Sequence, residues 1–404
     1  MAGKDKVVII SAVRTPIGSF CGALSSLRAH DLGAVVIKEA LVRARLQPND
    51  VSEVILGQAL TAGQGQNPAR QASMKAGLPK EVPAYGVNML CGSGLKAVSL
   101  GASMISDGQA KVVVCGGQES MSQAPHCYRL RLGGDKILGD TKLIDTMISD
   151  GLTDAFNNLH MGLTAEEVAS KWGITREQQD AMALESQRRT AISLSHIGKG
   201  GFDAEIVPVE VTGPKRGQTT IIAKDEYPRP NSTMEDLLKL KPVFKKDGTV
   251  TAGNASGIND GAAALVLTSE EYALSKSLPV IASIISFAQV GLEPMQMGMG
   301  PVPAIKKALE KAKWTLNDVD LFELNEAFAS QSIACVRDLG LDSSKVNIRG
   351  GAIALGHPIG ASGARILVTL VHALQQENKK RGVAALCVGG GMGVAMCIEC
   401  NCTD

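Results

Sequence analysis

Apolar residues along the chain alternate between short continuous runs and longer segments in which they recur every three or four positions. Residues 7–10 (VVII) and 112–115 (VVVC) are examples of the runs, and residues 35–46 are an example of the longer segments. A short apolar run predicts a buried strand, and the longer spacing predicts a helix with one buried face. Strands that alternate with helices through Gly-rich junctions predict an α/β fold with parallel sheets and helices on both faces.

This pattern occurs twice, because several short segments recur in the same order later in the chain. The matched pairs are residues 37–41 with 305–309, 49–51 with 317–319, 87–88 with 346–347, 93–96 with 362–365, and 112–117 with 384–390. Generic repetition of α/β units is the alternative explanation, but the shared order favours a duplication. We therefore expect two layered halves related by a pseudo-twofold axis.

The two copies differ in two places. Asn88 and Ser93 are five positions apart, whereas their counterparts Asn347 and Ser362 are fifteen apart, so the second copy carries ten extra residues, 350–359. Extra loop on a repeated scaffold is a common location of function. The first copy in turn contains a long insertion, in which a capping box at Thr175 predicts the start of a helix.

The predicted domains follow from these differences. They are an N-terminal half of residues 1–119 and 247–274, an inserted loop domain of residues 120–246, and a C-terminal half of residues 275–404. We expect the inserted domain to cover a site or to bind a large ligand.

Composition narrows the possible partners. The 404 residues include 41 Lys and Arg against 40 Asp and Glu, and 3% aromatics, so we expect neither nucleic acid nor an anionic membrane as a partner. No run reaches the 18 apolar residues of a membrane helix. Nine scattered cysteines without a secretory signal before Val7 predict reduced thiols and a cytoplasmic location.

Cys91 is a candidate nucleophile. It follows a predicted strand, stands at the start of a predicted helix, and is followed by Gly92 and Gly94. The N–H groups and dipole at a helix start favour the thiolate and should lower the cysteine pKa. A buried structural cysteine is the alternative.

His357 and Cys387 are further candidates. His357 lies in the extra segment of the second copy, where a neutral imidazole could accept a thiol proton, although a lone histidine is often structural. Cys387 ends a predicted strand before Gly389-Gly390-Gly391, whose N–H groups could face a developing oxyanion. A phosphate loop or a tight turn is equally compatible with these glycines.

Two other polar positions, taken alone, are compatible with a purely structural role. Asn325-Glu326 follows a predicted strand and is compatible with an ordinary helix cap. His160 precedes Met161 and is compatible with a loop before a helix.

Together these segments resemble the thiolase family along nearly the whole chain. The four blocks that carry the resemblance are Cys91-Gly92-Ser93-Gly94, Asn325-Glu326-Ala327-Phe328, Gly356-His357-Pro358 and Cys387-Val388-Gly389. The resemblance implies a five-layered α-β-α-β-α fold and the reversible condensation of two acetyl-CoA molecules to acetoacetyl-CoA and CoA through an acetyl-cysteine. It implies no cofactor and no metal ion.

The resemblance also implies roles for individual residues. Cys91 would accept the acyl group, His357 would activate it, and Cys387 would remove the α-proton of the second acetyl-CoA. Asn325 would hold a water that forms one oxyanion hole with His357, and the N–H groups of Cys91 and Gly389 would form the other.

Ligand contacts and assembly are implied in the same way. The residues implied to shape the acyl pocket are His160, Met161, Ala327 and Phe328, and those implied to bind CoA are Arg229, Ser256, Lys215 and Arg216. Arg129 and Arg131 resemble the basic loop through which short-chain members form homotetramers.

Two alternatives remain open. A ketoacyl synthase or hydroxymethylglutaryl-CoA synthase would share the duplicated layers and a nucleophilic cysteine but would lack the second cysteine, so Cys387 discriminates between them. A complex subunit or a lipid-binding carrier protein could keep the fold without catalysing a reaction.

Overall fold

The computed structural model describes residues 6–128, 140, 142–196, 201–213 and 218–400. The strands in these ranges are β1 (Val7–Arg14), β2 (Gly18–Ser19), β3 (Glu53–Gly57), β4 (Ala84–Val87), β5 (Val112–Ser120), β6 (His126–Cys127), β7 (Ile144–Asp145), β8 (Thr153–Asp154), β9 (Leu159–His160), β10 (Val209–Thr212), β11 (Thr219–Ile222), β12 (Asn259–Ser269), β13 (Ala282–Gly291), β14 (Leu321–Leu324), β15 (Arg381–Val388) and β16 (Met392–Glu399).

The α-helices alternate with these strands, as the hydrophobic pattern predicts. They are α1 (Ala29–Ala44), α2 (Pro68–Lys75), α3 (Ser93–Ser106), α4 (Met161–Lys171), α5 (Arg176–Ser195), α6 (Met234–Leu238), α7 (Glu270–Ser275), α8 (Pro301–Ala312), α9 (Ala329–Leu339), α10 (Ala352–Leu355) and α11 (Ile359–Gln376). The predicted capping box at Thr175 is present at the start of α5. No described helix combines the length and the hydropathy needed to cross a membrane.

The main sheet of the described chain runs in the order β14-β15-β16-β13-β1-β12-β5-β3-β4. Its two halves meet between β13 and β1, where only Val8 with Ser283 and Ile9 with Ala282 are paired. On either side of this junction the strands correspond: β1 to β13, β12 to β16, β5 to β15 and β3 to β14. The predicted duplication is therefore present as two halves of one sheet.

Helices complete the layers. α3 and α11 pack against each other and contact strands of both halves, so they form the central layer. α1 and α2 cover the outer face of the first half, and α8 and α9 cover the outer face of the second. This arrangement confirms the predicted five-layered α-β-α-β-α fold.

The expectation of purely parallel sheets is wrong. β3 is parallel to β4 and β5, and β14 is parallel to β15, but β12 and β16 run antiparallel to their neighbours. β16 follows β15 after residues 389–391, and a connection this short can only join antiparallel strands. The sheet is therefore mixed, because the last strand of each half, β12 or β16, runs antiparallel to its neighbours.

The segments in which the copies differ lie close to each other. Between β5 and β12 the described chain forms β6–β11 and α4–α6, and α4 packs on α9 of the second half. The ten extra residues 350–359 form α10 and the start of α11, and they are buried. The extra segment is therefore part of the core and not an exposed loop.

A buried ion-pair cluster attaches the inserted region to β1. Arg14 is fully buried, and its guanidinium donates to both carboxylate oxygens of Asp225, at 2.7 and 3.0 Å, and to Glu205. The ring of Phe202 lies 5.0 Å from the guanidinium carbon. Both acidic partners belong to the segment between β5 and β12, so the position of this segment depends on the charge at Arg14.

Replacing Arg14 with Met should therefore destabilise the protein strongly. The variant leaves the buried Glu205 and Asp225 without the guanidinium that they both accept from, and we expect the free energy of unfolding to fall by about 3–5 kcal/mol. Urea unfolding followed by circular dichroism measures the change.

Lys6→Met is the matched control. Lys6 pairs with Glu270 at 2.7 Å, but both side chains are exposed, so the loss should be about 0–1 kcal/mol. Equal losses in the two variants would contradict the structural importance of the buried cluster.

Candidate active site

Cys91 lies in the single 3₁₀ turn, Leu90–Gly92, that joins β4 to α3. Burial raises the pKa of its thiol to about 12, and the N–H groups of Gly389 and of Cys91 itself counteract this only in part. The expectation that the helix start lowers this pKa is therefore wrong, because the loss of hydration outweighs the helix dipole. The thiol is protonated at rest and needs a base to become a nucleophile.

His357 provides a base within contact distance of this thiol. Its Nε2 lies 3.3 Å from Cys91 Sγ, and its Nδ1 lies 2.6 Å from Ser362 Oγ. The Ser362 hydroxyl donates its proton to the carbonyl oxygen of Pro358 at 2.9 Å. Ser362 must therefore accept from Nδ1–H, which leaves the lone pair of Nε2 directed at the thiol.

The imidazole is held neutral by its surroundings. Burial lowers the pKa of His357 to about 3, and the positive charge of Arg365 adds to this effect. The backbone N–H of His357 donates to Asn259 Oδ1 at 2.9 Å, which fixes the chain at this point. The imidazole is therefore neutral over the whole physiological pH range, with its Nε2 lone pair available to the thiol.

Cys387 lies at the end of β15 and is also buried. Burial raises the pKa of this thiol well above its ordinary value, and the nearby Cys91 adds to the increase. In the turn after β15, Gly390 and Gly391 have φ values of +79° and +77°, which side-chain-bearing residues rarely adopt. This tight turn directs the Gly389 N–H towards the sulfur of Cys91.

Asn325 approaches the imidazole from the end of β14. Its Nδ2 lies 3.5 Å from His357 Nε2, and its buried Oδ1 has no hydrogen-bond partner among the described residues. The helix-cap explanation is wrong for this residue, because the cap position of α9 is Phe328. Asn325 instead approaches the imidazole through Nδ2 and keeps a buried Oδ1 without a partner among the described residues.

These groups surround one apolar cavity of about 300 Å³. The ring of His160 stacks on Phe244 with centroids 4.6 Å apart, and the edge of Phe244 meets Phe328 at 6.4 Å. His160 Nδ1 accepts from the N–H of Gly162 at 3.0 Å, so His160 is the N-cap of α4. The aromatic side chains thus contact one another and line the same cavity as the two thiols.

A second, more open recess of about 500 Å³ adjoins this cavity. Ser256 lines both spaces, and the exposed side chain of Arg229 lies in the outer one. A long ligand could therefore extend from the thiols past Ser256 to Arg229. Lys215 and Arg216 lie outside the described residues.

The structure brings together most of the residues that the sequence singles out. Those that line the cavity are Cys91, His357, Cys387, Gly389, His160, Met161, Ala327, Phe328 and Ser256. Asn325 lies behind them against His357, and Arg229 lies in the adjoining recess.

Several residues at the site were not predicted. Phe244 has no sequence signal, because it lies in a charged segment far from any block. Ser362 could have been identified from the duplication, since it aligns with Ser93 at the other helix start. Ser93 in turn accepts from the N–H of Met89 at 2.8 Å, close to Cys91.

Two family models match this chain. One, described as the thiolase N-terminal domain, matches residues 7–271, and the other, described as the thiolase C-terminal domain, matches residues 278–400.

Individual proteins match over nearly the full length. The chain is 57% identical over 401 residues to the cytosolic acetyl-CoA acetyltransferase of Rattus norvegicus, with 98% of this chain and 99% of the relative covered. It is 56% identical over 393 residues to the acetyl-CoA acetyltransferase of Rhizobium meliloti (strain 1021), with 97% and 98% covered.

Solved structures match equally well. The acetyl-CoA acetyltransferase of Bacillus anthracis superimposes with a TM-score of 0.95 at 44% identity, covering 99% of this chain and 100% of that one. Human mitochondrial 3-ketoacyl-CoA thiolase gives a TM-score of 0.94 at 44% identity, with the same coverage.

Replacing Ser362 with Ala should slow the reaction of Cys91 with iodoacetamide. Without the hydroxyl, Nδ1–H loses its acceptor and the imidazole no longer holds Nε2 towards the thiol. We expect the second-order rate constant at pH 7.5 to fall by on the order of tenfold. Peptide mass spectrometry confirms which cysteine is alkylated.

Ser332→Ala is the matched control, because Ser332 Oγ also donates to a carbonyl four residues earlier, that of Phe328 at 3.1 Å, but touches no imidazole. Its alkylation rate should equal that of the unmodified protein. Slowing of the same size in both variants would refute the orienting contact.

Proposed function

The chain belongs to the thiolase family of acyltransferases, and we propose that it is an acetyl-CoA C-acetyltransferase, which condenses two acetyl-CoA molecules to acetoacetyl-CoA and CoA and catalyses the reverse thiolysis. The observation that carries the proposal is the 3.3 Å contact between Cys91 Sγ and His357 Nε2 in a cavity that Cys387 also lines. One sulfur can then accept an acyl group while the other acts as a base.

In the first half of the reaction, Cys91 attacks the thioester carbonyl of one acetyl-CoA and its proton passes to His357 Nε2. The bond between the carbonyl carbon and the CoA sulfur breaks, and Cys387 donates its proton to the departing sulfur. CoA leaves as the thiol. Acetyl-Cys91, an imidazolium at His357 and a thiolate at Cys387 remain, so charge is balanced within the site.

In the second half, the Cys387 thiolate removes a proton from the methyl carbon of a second acetyl-CoA. The carbanion attacks the acetyl carbonyl on Cys91, a carbon–carbon bond forms, and the Cys91 sulfur departs. The imidazolium returns its proton to this sulfur. Acetoacetyl-CoA leaves, and both thiols and the neutral imidazole are restored. This ping-pong order assigns the two cysteines different tasks in one cavity.

Two groups of donors would stabilise the negative charge on oxygen. The N–H groups of Cys91 and Gly389, both directed at the Cys91 sulfur, would serve the acetyl-enzyme carbonyl. Asn325 would hold a water that, with His357, serves the carbonyl of the second acetyl-CoA, a role supported by its unpaired buried Oδ1. Each preorganised donor is worth about 10²–10³ in rate.

We propose short acyl groups as substrates because aromatic and other bulky side chains line the cavity. His160, Met161, Ala327 and Phe328 would form its acyl end, and His160 is stacked on Phe244 there. The pantetheine arm of CoA would pass Ser256, and the nucleotide phosphates would meet Arg229 in the outer recess. Lys215 and Arg216 would add positive charge.

The cellular location and the oligomeric state are two further parts of the proposal. The name of the rat relative supports a cytoplasmic location. A homotetramer is supported by the resemblance of Arg129 and Arg131, which lie outside the described residues, to the basic loop of short-chain thiolases.

Cys387→Ala separates the two half-reactions. Incubation with acetyl-CoA should still place an acetyl group on Cys91, seen by peptide mass spectrometry, although more slowly because CoA then leaves without a proton from Cys387. Acetoacetyl-CoA formation should fall by at least about 10³-fold because the base is absent. Cys91→Ala should abolish both signals.

Cys115→Ala is the control for removal of a buried thiol, because Cys115 is fully buried on β5 and does not line the cavity. It should condense acetyl-CoA at the rate of the unmodified protein. Normal condensation by Cys387→Ala would show that another group is the base.

Arg229→Ala tests the position of CoA. Loss of one charge that faces a phosphate should raise KM for acetyl-CoA by about five- to tenfold and leave kcat unchanged, since Arg229 is remote from the reacting atoms. Arg188→Ala, which removes an exposed arginine of α5 outside the recess, should change neither constant. An unchanged KM in Arg229→Ala would place the phosphates elsewhere.

A further inference from the structure

Glu119 is a fully buried carboxylate near the end of β5 that has no role in the chemistry described so far. It does not line the cavity, and no lysine or arginine pairs with it among the described residues. Burial of an acidic side chain is costly unless its oxygens accept hydrogen bonds. Its partners therefore indicate what the residue does.

Three backbone N–H groups donate to this carboxylate. Those of Ala59 and Leu60 lie 2.9 and 3.2 Å from its oxygens, and that of Gly360 lies 2.8 Å away. Ala59 and Leu60 follow β3 in the first half, whereas Gly360 belongs to the first turn of α11 in the second half. One side chain thus joins the two halves at the level of the site.

Two of these contacts, those of Ala59 and Gly360, lie close in the structure to a reacting residue. Gly360 is three positions after His357. On the other side, the carbonyl of Ala59 accepts from Asn88 Nδ2 at 3.3 Å, and Asn88 Oδ1 accepts from the N–H of Leu90 at 3.0 Å, the residue before Cys91. Hydrogen bonds and short stretches of main chain therefore connect the segment of the nucleophile, through Glu119, to the segment of the base.

The junction formed by Glu119, residues 58–60 and Gly360 has no space in which these contacts could rearrange. A Cβ on Gly360 would lie 2.6 Å from the Cα of Gln58, 2.8 Å from the nearer carboxylate oxygen and 2.9 Å from the N–H nitrogen of Ala59. Tightly packed backbone leaves the N–H groups no alternative acceptor if the carboxylate is lost.

We propose that Glu119 is a positioning residue, whose carboxylate holds the loop before Cys91 and the helix start after His357 at the separation that proton transfer between them requires. The inference rests on the function proposed above, because proton transfer from Cys91 to His357 is a step of that proposed reaction. Glu119 acts through these backbone groups and touches no reacting atom.

The charge of Glu119 provides a readout that a purely structural contact would lack. Burial raises the pKa of Glu119 to about 7, against the effect of its three N–H donors, and Asp260 on β12 raises it further. Its ionised form raises the pKa of Cys91 in turn. Among the described residues, Asp260 and Cys91 are the titratable groups coupled to Glu119. His357, three positions before Gly360, stays neutral, and Arg365 lies further along α11.

Glu119→Gln tests the positioning. An amide has one acceptor oxygen for three donors, and its NH₂ group faces an N–H, so the separation of Cys91 and His357 should loosen. We expect kcat for acetoacetyl-CoA formation to fall by on the order of 10²-fold, while KM for acetyl-CoA stays within about threefold because no cavity contact is lost.

The pH dependence of Cys91 alkylation by iodoacetamide gives the second measurement and does not depend on turnover. In the unmodified protein the rate should rise with pH, flatten near pH 7 where Glu119 ionises and opposes the thiolate, and then rise again. The deficit above pH 7 should be on the order of tenfold. Glu119→Gln should lack the flattening, so its rate should rise with pH without a break, at a level lowered overall by the looser contact between Cys91 and His357.

Two controls isolate the effect. Glu166→Gln removes a carboxylate that accepts from the N–H groups of Thr249 and Val250 at 2.8–2.9 Å, so it should lose comparable stability but keep the flattening. Asp260→Asn removes the neighbouring acid and should also keep it. If Glu119→Gln does not fold, flattening in the unmodified protein and in Asp260→Asn supports the proposal.

The proposal is overturned if kcat is unchanged in Glu119→Gln. It is also overturned if the flattening persists in Glu119→Gln, or if the unmodified protein shows no flattening. Failure of the proposed function would look different: the unmodified protein would make no acetoacetyl-CoA, while the alkylation profiles would still differ as described.

Discussion

The contact between the first turns of α3 and α11 determines the geometry of the site, and it depends on glycine. A Cβ on Gly94 would lie 2.6 Å from the nitrogen of Ala364, and one on Gly363 would lie 2.5 Å from the nitrogen of Leu95. Only residues without side chains allow the two helices to approach this closely. Cys91 and His357, which directly precede these helices, thereby come within 3.3 Å although they are 266 positions apart.

The same close packing buries the reacting groups, and this burial sets their protonation states. Burial raises the pKa of both Cys91 and Cys387 and lowers that of His357, so all three groups are uncharged at rest. Charge then develops only when a substrate carbonyl is attacked, next to N–H donors that are already in place. Such preorganised donors act strongly because the medium around them is poor in water.

Duplication supplied two equivalent helix starts, and the differences between the copies made them complementary. The first copy provides the nucleophile before α3. The second provides the imidazole from its ten extra residues and the second thiol from the end of β15, which a three-residue turn holds beside the first. The long segment between β5 and β12 closes the cavity with Phe244 and His160. The repeated elements thus form the scaffold, and the segments that differ between the copies form the site.

The sequence by itself determined the α/β class, the internal repeat and most of the residues at the site, because apolar periodicity and short motifs are local properties. Only the tertiary structure decided the protonation states, the mixed direction of the sheet and the contributions of Ser362, Phe244 and Glu119. A pKa depends on hydration and on charges brought from distant parts of the chain, as the thiol of Cys91 shows, where burial outweighs the helix start. The partners of Glu119 come from β3 and α11, and no local pattern encodes that meeting.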